Sequence, residues 1–524
     1  PEQEAVEIEF VSKTAGAERV ALAAEFDDEI DPSVRRAHVA IEPPSLDDQT
    51  TDWDRLLREL SLQHGIQDVT AHLPMLRNLS RDLREAEWDV TAVLEMGDPI
   101  AHPLDQPRLL DLLPGDQSDR CYGVAIDIGT TTNVVYLVDL LTGAVVDRAS
   151  AYNAQISAGE DVISRIIFSQ KRDGLQRLQK MVLKTLNGLL DELTSRNQIP
   201  ARQVSKAVVA GNTTMLQLFL ALDPTAIRQM PFIPTISQPL AVSAEELGLS
   251  INPQAAVDCL PMVGAYVGAD ITAGVLASGI HDTDALTLFI DVGTNGELVL
   301  GNRDWLITCA CSAGPAFEGS GVRHGMRATA GAIEEIWIDH RTFEPTYETI
   351  GQLPARGICG SGMIGLLAEM FITGIVDKAG KIQRDLPTAR VRVGDHGGEY
   401  VVAWAGQSGI GTDVVINEVD IENLLRTKGA IFAGFSVLVQ SVGLQLADVE
   451  QVLIAGAFGQ YINVEKAIQI GLLPDMPWDR FHYLGNTSAL GAYYSLVSRP
   501  KRREVIDIAS MMTYLELSAD NSFY

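Results

Sequence analysis

The chain has 524 residues, 46% hydrophobic and 21% charged, an ordinary globular composition that supports about two to four domains and shows no low-complexity tract. Its formal charge of -29 argues against nucleic acid or an anionic membrane as a partner, because affinity for phosphate backbones rests on clustered Lys and Arg. The acidity fits a solvated surface or attraction to a basic partner.

Residues 1–113 read as a small α+β domain: strand-like runs at 6–11, 38–41 and 90–94 alternate with helical patterns at 53–62 and 75–86. Pro43 and Pro44 force the run 41–50 to be extended and loop-like. No apolar segment follows a basic start, so no signal peptide is expected, and Pro1 implies a trimmed methionine or a piece of something longer. Residues 114–119 form the natural linker.

Beyond the linker one short phrase occurs twice. Asp127-Ile-Gly-Thr-Thr-Thr132 follows the apolar run 122–126, and Asp291-Val-Gly-Thr-Asn-Gly-Glu297 follows 286–290. Each reads as a strand ending in Asp, a Gly-Thr turn and a second strand, 134–138 and 298–300, hence a β-hairpin. Such turns expose backbone N–H groups and hydroxyls, the chemistry needed to cradle a polyphosphate without lysine, and the leading aspartates are placed to hold Mg²⁺. Two hairpins imply two related half-domains, at 120–283 and 284–524, the second carrying a C-terminal helix.

After the first hairpin, Leu175, Leu178, Val182, Leu186, Leu189 and Leu193 form a helical stripe that packs on a sheet. The strand 207–210 runs into Gly211-Asn-Thr-Thr-Met215, a polar strand-end turn that is either a ligand contact or structural. After the second come Ser312-Ala-Gly-Pro-Ala-Phe-Glu-Gly319, Gly357-Ile-Cys-Gly-Ser-Gly362, and a strand at 452–454 feeding Ala455-Gly-Ala-Phe-Gly459. The last glycines let backbone approach a purine or ribose closely. The uncharged run 429–447 reads as a buried core helix rather than a membrane span.

The five cysteines, Cys121, Cys259, Cys309, Cys311 and Cys359, form no regular framework, which points to reduced thiols and the cytoplasm. Cys309-Ala-Cys311 lacks a second pair nearby, so buried thiols rather than a metal site are expected.

The two acidic hairpins followed by Ala455-Gly-Ala-Phe-Gly459 resemble the phosphate and adenosine motifs of the actin, sugar kinase and heat-shock chaperone ATPase superfamily over residues 120–495. The fold expected is therefore α/β: a duplicated actin-like (ribonuclease H-like) ATPase domain behind the α+β domain. With Gly211–Met215, 312–319 and 357–362, the set resembles the reductive activators of corrinoid proteins, and residues 1–113 resemble that family's middle domain.

The resemblance implies ATP-dependent return of an inactive Co(II) corrinoid to Co(I), with nucleotide closing or reshaping the cleft between half-domains. Moving one electron uphill costs about 1.4 kcal/mol per ~59 mV, which is why a hard couple needs ATP. A homodimer is expected, with a corrinoid protein as partner: a methyltransferase, a demethylase component or a corrinoid iron-sulfur protein. The plant-type spacing C-x4-C-x2-C is absent, so the iron-sulfur cluster is expected in a missing N-terminal domain or on a separate low-potential electron donor.

Asp127 and Asp291 are expected to hold Mg²⁺ through water, and Thr130, Thr131, Thr132, Thr294 and Asn295 to donate to phosphate oxygens. Gly129 and Gly293 keep the turns open, and Gly296 joins the ATP-binding set; Asn212 orients the attacking water; Gly456, Ala457 and Phe458 border the adenosine; Glu318 lies toward the nucleoside.

The alternative is a small-molecule kinase of the same superfamily, which would need a carboxylate base where Asn212 stands. Gly360-Ser-Gly-Met-Ile-Gly365 matches a dinucleotide fingerprint but follows no expected strand, and no P-loop sequence occurs. A scaffold retaining both hairpins only structurally is the non-enzymatic rival.

Overall fold

The computed structural model describes residues 26, 28–97, 106–238, 240–293, 295–311, 313–314, 316–456 and 462–517. The strand expected at 6–11 lies outside them, as do Thr294, Ala457 and Phe458. Contacts divide the chain into two units, residues 1–277 with 487–511 and residues 278–486 with 512–524.

The first unit begins with β1 (Val34–Ala40), α1 (Asp52–His64), β2 (Thr70–Ala71), α2 (Leu73–Glu85), β3 (Asp89–Glu95) and β4 (Arg108–Pro114), a sheet ordered β1-β3-β4-β2. The Thr51 side chain accepts the Asp54 N–H to start α1, and Gly65 at φ 68 stops it. Both helices press an apolar stripe, Leu56, Leu60, Met75, Leu79 and Leu83, into this sheet's core. β4 was not among the expected strands. Its centre is buried on both faces, so the residues show no period-two alternation to read.

The expected linker is tied down rather than loose. The Thr91 hydroxyl donates to the Gly115 carbonyl at 2.7 Å, and Arg36 donates to the carbonyls of Gln117 at 3.2 Å and Gln203 at 3.1 Å. Buried charge joins the same parts: Lys206 Nζ meets Asp258 at 2.6 Å and also Glu95, while Arg502 meets Asp258 and Arg108 meets Glu95. Removing one partner of such a set leaves an uncompensated buried charge, so it fixes the α+β domain on its neighbour.

That neighbour is a sheet ordered β7-β6-β5-β8-β10-β9, from β5 (Tyr122–Ile128), β6 (Thr132–Asp139), β7 (Val145–Tyr152), β8 (Val204–Gly211), β9 (Leu240–Ser243) and β10 (Ala256–Cys259). Its helices are α3 (Val162–Ser169), α4 (Gly174–Arg196), α5 (Thr213–Phe219), α6 (Ala244–Leu247) and α7 (Ala269–Ser278). The expected stripe on α4 is real: Leu178, Val182, Leu186, Leu189 and Leu193 are fully buried.

The second unit repeats the plan. β11 (Thr287–Asp291), β12 (Glu297–Asn302) and β13 (Trp305–Ala310) form the meander. An insertion follows: β14 (Ala332–Ile338), β15 (Pro345–Thr349), β16 (Gly357–Ile358), α8 (Gly360–Ile372), β17 (Val391–Gly394), β18 (Gly397–Ala403) and β19 (Val414–Asn417). The chain continues through α9 (Glu418–Ser441), β20 (Gln451–Ala455), α10 (Val464–Gln469) and β21 (Phe481–Gly485). Then come α11 (Thr487–Val497), α12 (Arg499–Met511) and β22 (Met512–Tyr514), and the second large sheet reads β21-β20-β11-β12-β13-β22. In both sheets an antiparallel three-strand meander is extended, from its first strand, by two further strands running parallel.

Three details differ from the sequence reading. α11 and α12 belong to the first unit, although the chain boundary at 284 assigns them to the second, because α11 packs on β5 and β8. The run 429–447 is helical only to Ser441, since the chain turns out at Gly443, φ 74. The glycines of 360–365 do follow a strand, the two-residue β16, yet they open α8: a Cβ on Gly362 would stand 2.2 Å from the Ile333 carbonyl, so glycine there lets α8 lie on β14. Among the described residues no helix is long and apolar enough to cross a membrane.

Two helical glycines make opposite predictions. Gly491→Ala puts a Cβ 2.1 Å from the Ala273 carbonyl, so crowding of about 1–3 kcal/mol outweighs the gain of ~1 kcal/mol in helix propensity and the protein is destabilised. Gly188→Ala, in α4 with nothing within 4 Å, gains up to about 1 kcal/mol. Urea unfolding of both variants checks the pair.

Candidate functional site

In the first unit Asp127 stands next to last on β5, paired with Val134 of β6 and, in parallel register, with Ala210 of β8. Strand β8 therefore delivers Gly211-Asn212 beside the first hairpin turn. Asp127 is buried, and Oδ1 accepts the Ser488 hydroxyl of α11 at 2.8 Å. The turn closes by the Gly129 N–H donating to the Thr132 carbonyl at 3.1 Å; a Cβ on residue 129 would lie 2.3 Å from that oxygen.

Polar side chains hold the turn from behind. Asn153 Nδ2 donates to the Gly129 carbonyl at 2.9 Å, and the Asn153 N–H to the Thr131 carbonyl at 2.9 Å. Arg165 Nη2 donates to the Thr130 carbonyl. Asn212 Oδ1 caps α5 by accepting the Met215 N–H at 2.9 Å, while Nδ2 donates to Thr130 Oγ1, also at 2.9 Å. Thr130 is buried, and its own O–H has no acceptor among the described residues. Thr131 and Thr132 flank it, half-buried, so the structure gathers Asp127, Gly129, Thr130, Thr131, Thr132 and Asn212 at one strand end.

In the second unit Asp291 closes β11, opposite Glu297 of β12 and beside Ala455 of β20 in parallel register. The residue after β20 is Gly456, at φ 96. A Cβ there would meet the Val292 carbonyl at 2.6 Å and Asp291 Oδ1 at 2.9 Å, so only glycine fits against the carboxylate. Among the described residues, Asp291 Oδ1 is the one neighbour within 4 Å of where a Cβ on residue 293 would be, at 3.9 Å. The Asn295 carbonyl accepts the Ala313 N–H at 3.2 Å, and the Ala313 carbonyl accepts the Thr427 hydroxyl of α9 at 2.7 Å, which fixes the segment after β13 against the turn. Asp291, Gly293, Asn295, Gly296 and Gly456 thus form the second cluster. Glu318, half-buried, ends the short helical turn Ala316–Glu318 against α8 and α9.

Sequence reading missed Asn153, Arg165 and Ser488. Arg165 left a signal, a lone cation inside Val162-Ile-Ser-Arg-Ile-Ile-Phe168. Ser488 left none, since it meets Asp127 across 361 positions.

Among the described residues no group of three or more His, Cys, Asp or Glu gathers as a metal cage. A carboxylate at a strand end is compatible with Mg²⁺, an ion that keeps several waters and takes one or two carboxylates plus phosphate oxygens. All five cysteines are buried and unpaired by disulfide. Burial pushes the Cys121 thiol up to about 11 and raises Cys259; Cys311 is raised by its hydrogen bond with Cys309 and by burial, and Cys359 by burial.

A duplicated strand–turn–strand unit with an acid at each strand end defines an actin-like fold of the ASKHA class. Residues 285–524 match the model described as the C-terminal domain of RACo, the ASKHA domain; residues 122–283 match the RACo middle region and 23–119 the RACo linker region. The middle-region model thus falls on 122–283, where sequence reading gave a middle-type label to residues 1–113.

The chain is 34% identical over 425 residues to the corrinoid activation enzyme RamQ of Eubacterium limosum, covering 79% of this chain and 71% of that protein. It is 24% identical over 436 residues to the Co(II) methylated amine-specific corrinoid protein reductase of Methanosarcina barkeri, covering 77% and 75%. A solved structure, the reductive activator for corrinoid, iron-sulfur protein, superposes with TM-score 0.85 and 46% identity over 95% of this chain and 78% of its own. The chain belongs to the family of reductive activators of corrinoid proteins.

Raised thiol pKa values mean protonated, unreactive sulfur near neutral pH. Native protein with a disulfide thiol reagent at pH 7 is expected to react at far fewer than its five cysteines, and the denatured protein at all five. Rapid labelling of all five thiols in the native state would contradict their burial.

Proposed function

We propose that this protein is an ATP-hydrolysing activator that returns an inactive Co(II) corrinoid protein to Co(I). The observation that carries the reading is the match, over 95% of the chain at 46% identity and TM-score 0.85, to a protein named as a reductive activator of a corrinoid protein. Two curated relatives with corrinoid activation or reduction in their names support it.

The residues fit Mg-ATP by their chemistry. Thr130 carries a hydroxyl proton with no acceptor among the described residues, held in place by Asn212, and Gly293 leaves room where a side chain would stand. In this reading Asp127 and Asp291 offer carboxylate oxygens to Mg²⁺ through its water ligands. The ion, when bound, neutralises phosphate charge and orients the terminal phosphoryl group. Thr130, Thr131, Thr132, Thr294 and Asn295 donate to phosphate oxygens, and Gly129, Gly293 and Gly296 let the backbone come close. Asn212 spends its amide oxygen on the α5 cap and one N–H on Thr130, which leaves one N–H for the attacking water. Gly456, Ala457 and Phe458 border the adenosine, with Glu318 toward the nucleoside.

The coupling is a matter of differential affinity. Nucleotide can bias the complex with the corrinoid protein only as far as it binds two conformations unequally, and hydrolysis then restores the other population. In this reading the electron comes from a low-potential donor that carries an iron-sulfur cluster. The reading extends to a homodimer working in the cytoplasm.

Titration calorimetry tests the nucleotide site. Wild-type protein is expected to bind Mg-ATP saturably, and Asp127→Ala and Asp291→Ala each to bind about tenfold more weakly or worse, the worth of one charged contact. Unaltered binding in the double variant would remove the Mg²⁺ assignment, and phosphorylation of a sugar or carboxylate metabolite would favour a kinase.

A further inference from the structure

Arg165 has no exposed surface, and four of its five guanidinium N–H groups go to uncharged acceptors. Nε donates to the Gly159 carbonyl at 2.9 Å, Nη1 to Gln155 Oε1 at 3.2 Å and to Met215 Sδ at 3.0 Å, and Nη2 to the Thr130 carbonyl. None of the ion pairs of the described residues includes it, in contrast to the equally buried Arg55 and Arg502, which meet Asp48 and Asp258. Asp161 acts on it only through space, its Oδ1 being taken by the Ser164 N–H at the start of α3. Burial lowers the Arg165 pKa to about 10, still well above neutrality, so the side chain is a cation.

A buried charge without a counter-charge is costly, and folding offers cheaper ways to support a turn. Asn153 already holds the same turn with a neutral amide. What the cation adds is positive potential directly behind the Thr130 peptide, on the buried side of the turn, and a fixed bond that holds that peptide in one orientation. The Thr130 carbonyl is drawn toward Arg165, while Thr130 Oγ1 is held by Asn212 with its proton left over. Low dielectric around the guanidinium makes its field reach the far side of the turn with little screening.

We propose that Arg165 is a positioning residue whose counter-ion is the phosphate chain of the bound nucleotide: it acts through the Thr130 peptide and selects the triphosphate by charge. The proposal rests on the reading of the first hairpin turn as a phosphate site.

The test measures Mg-ATP, Mg-ADP and adenosine binding by calorimetry on the full chain with Arg165→Lys, Arg165→Gln and Arg165→Met. Charge selection predicts about tenfold or greater loss of Mg-ATP affinity in the Gln and Met variants, equal to about 1.4 kcal/mol. It predicts a smaller loss for Mg-ADP, adenosine binding within about twofold of wild type, and recovery of most Mg-ATP affinity in the Lys variant. A purely structural role predicts that Lys fails like Met, because an ammonium cannot keep the fork of bonds, and that adenosine falls along with ATP; that pattern overturns the proposal. Wild-type affinity for Mg-ATP in the Met variant overturns it too. Absence of saturable Mg-ATP binding in the wild type sinks the nucleotide reading and the proposal together. If neither neutral variant folds, the Arg165 Nε–H resonance of the wild type, assigned by its loss in Arg165→Lys, is expected to move with Mg-ATP and not with adenosine. No movement overturns the proposal.

Discussion

A carboxylate at the end of one strand, set beside a glycine at the end of its parallel neighbour, is the constraint on which both halves depend. Asp127 pairs in register with Ala210 so that Gly211 follows, and Asp291 pairs with Ala455 so that Gly456 follows. The spacing leaves no room for a Cβ at residue 456, and at residue 211 one would lie 2.8 Å from the Ile128 carbonyl. Such close approach brings turn N–H groups and hydroxyls to the same edge as the acid. The strand order, a meander followed by parallel strands, is what places that edge at the ends of β5 and β11, where ligands of open α/β sheets are met.

The remainder of the first unit holds this edge still. The β5 acid accepts from Ser488 of α11, and α12, the next helix in the chain, is pinned by Arg502 to Asp258 of β10. Asp258 also meets Lys206 of β8, which reaches Glu95 of β3. The N-terminal sheet is thus connected by charge to the strand that delivers Asn212. Because each partner is buried, the chain of ions specifies geometry more than it adds stability.

Local signals made much of this legible. Both hairpins, the α4 stripe and the Gly456 strand end could be read from apolar runs punctuated by Asp, Gly and Thr, since these depend on residues only a few positions apart. β4 could not, because burial on both faces erases alternation. The return of α11 to the first unit and the Ser488–Asp127 bond were invisible for another reason, a long sequence separation with no pattern attached. Arg165 lies between the two: its position among isoleucines hints at burial, but only the fold shows that no carboxylate among the described residues pairs with it. The place of Asn212 after a strand is legible in the sequence, while its double duty as helix cap and brace for Thr130 emerges only in the fold.

Coupling of ATP to corrinoid reduction by this chain is open to direct test. The most direct measurement follows the optical change from Co(II) to Co(I) in a corrinoid protein supplied with a low-potential electron donor and this activator, with and without Mg-ATP. Coupling predicts conversion that requires the activator and rises with ATP, and that a non-hydrolysable analogue does not sustain over repeated turnovers. Equal conversion with and without ATP, or none beyond that given by the donor alone, would contradict it.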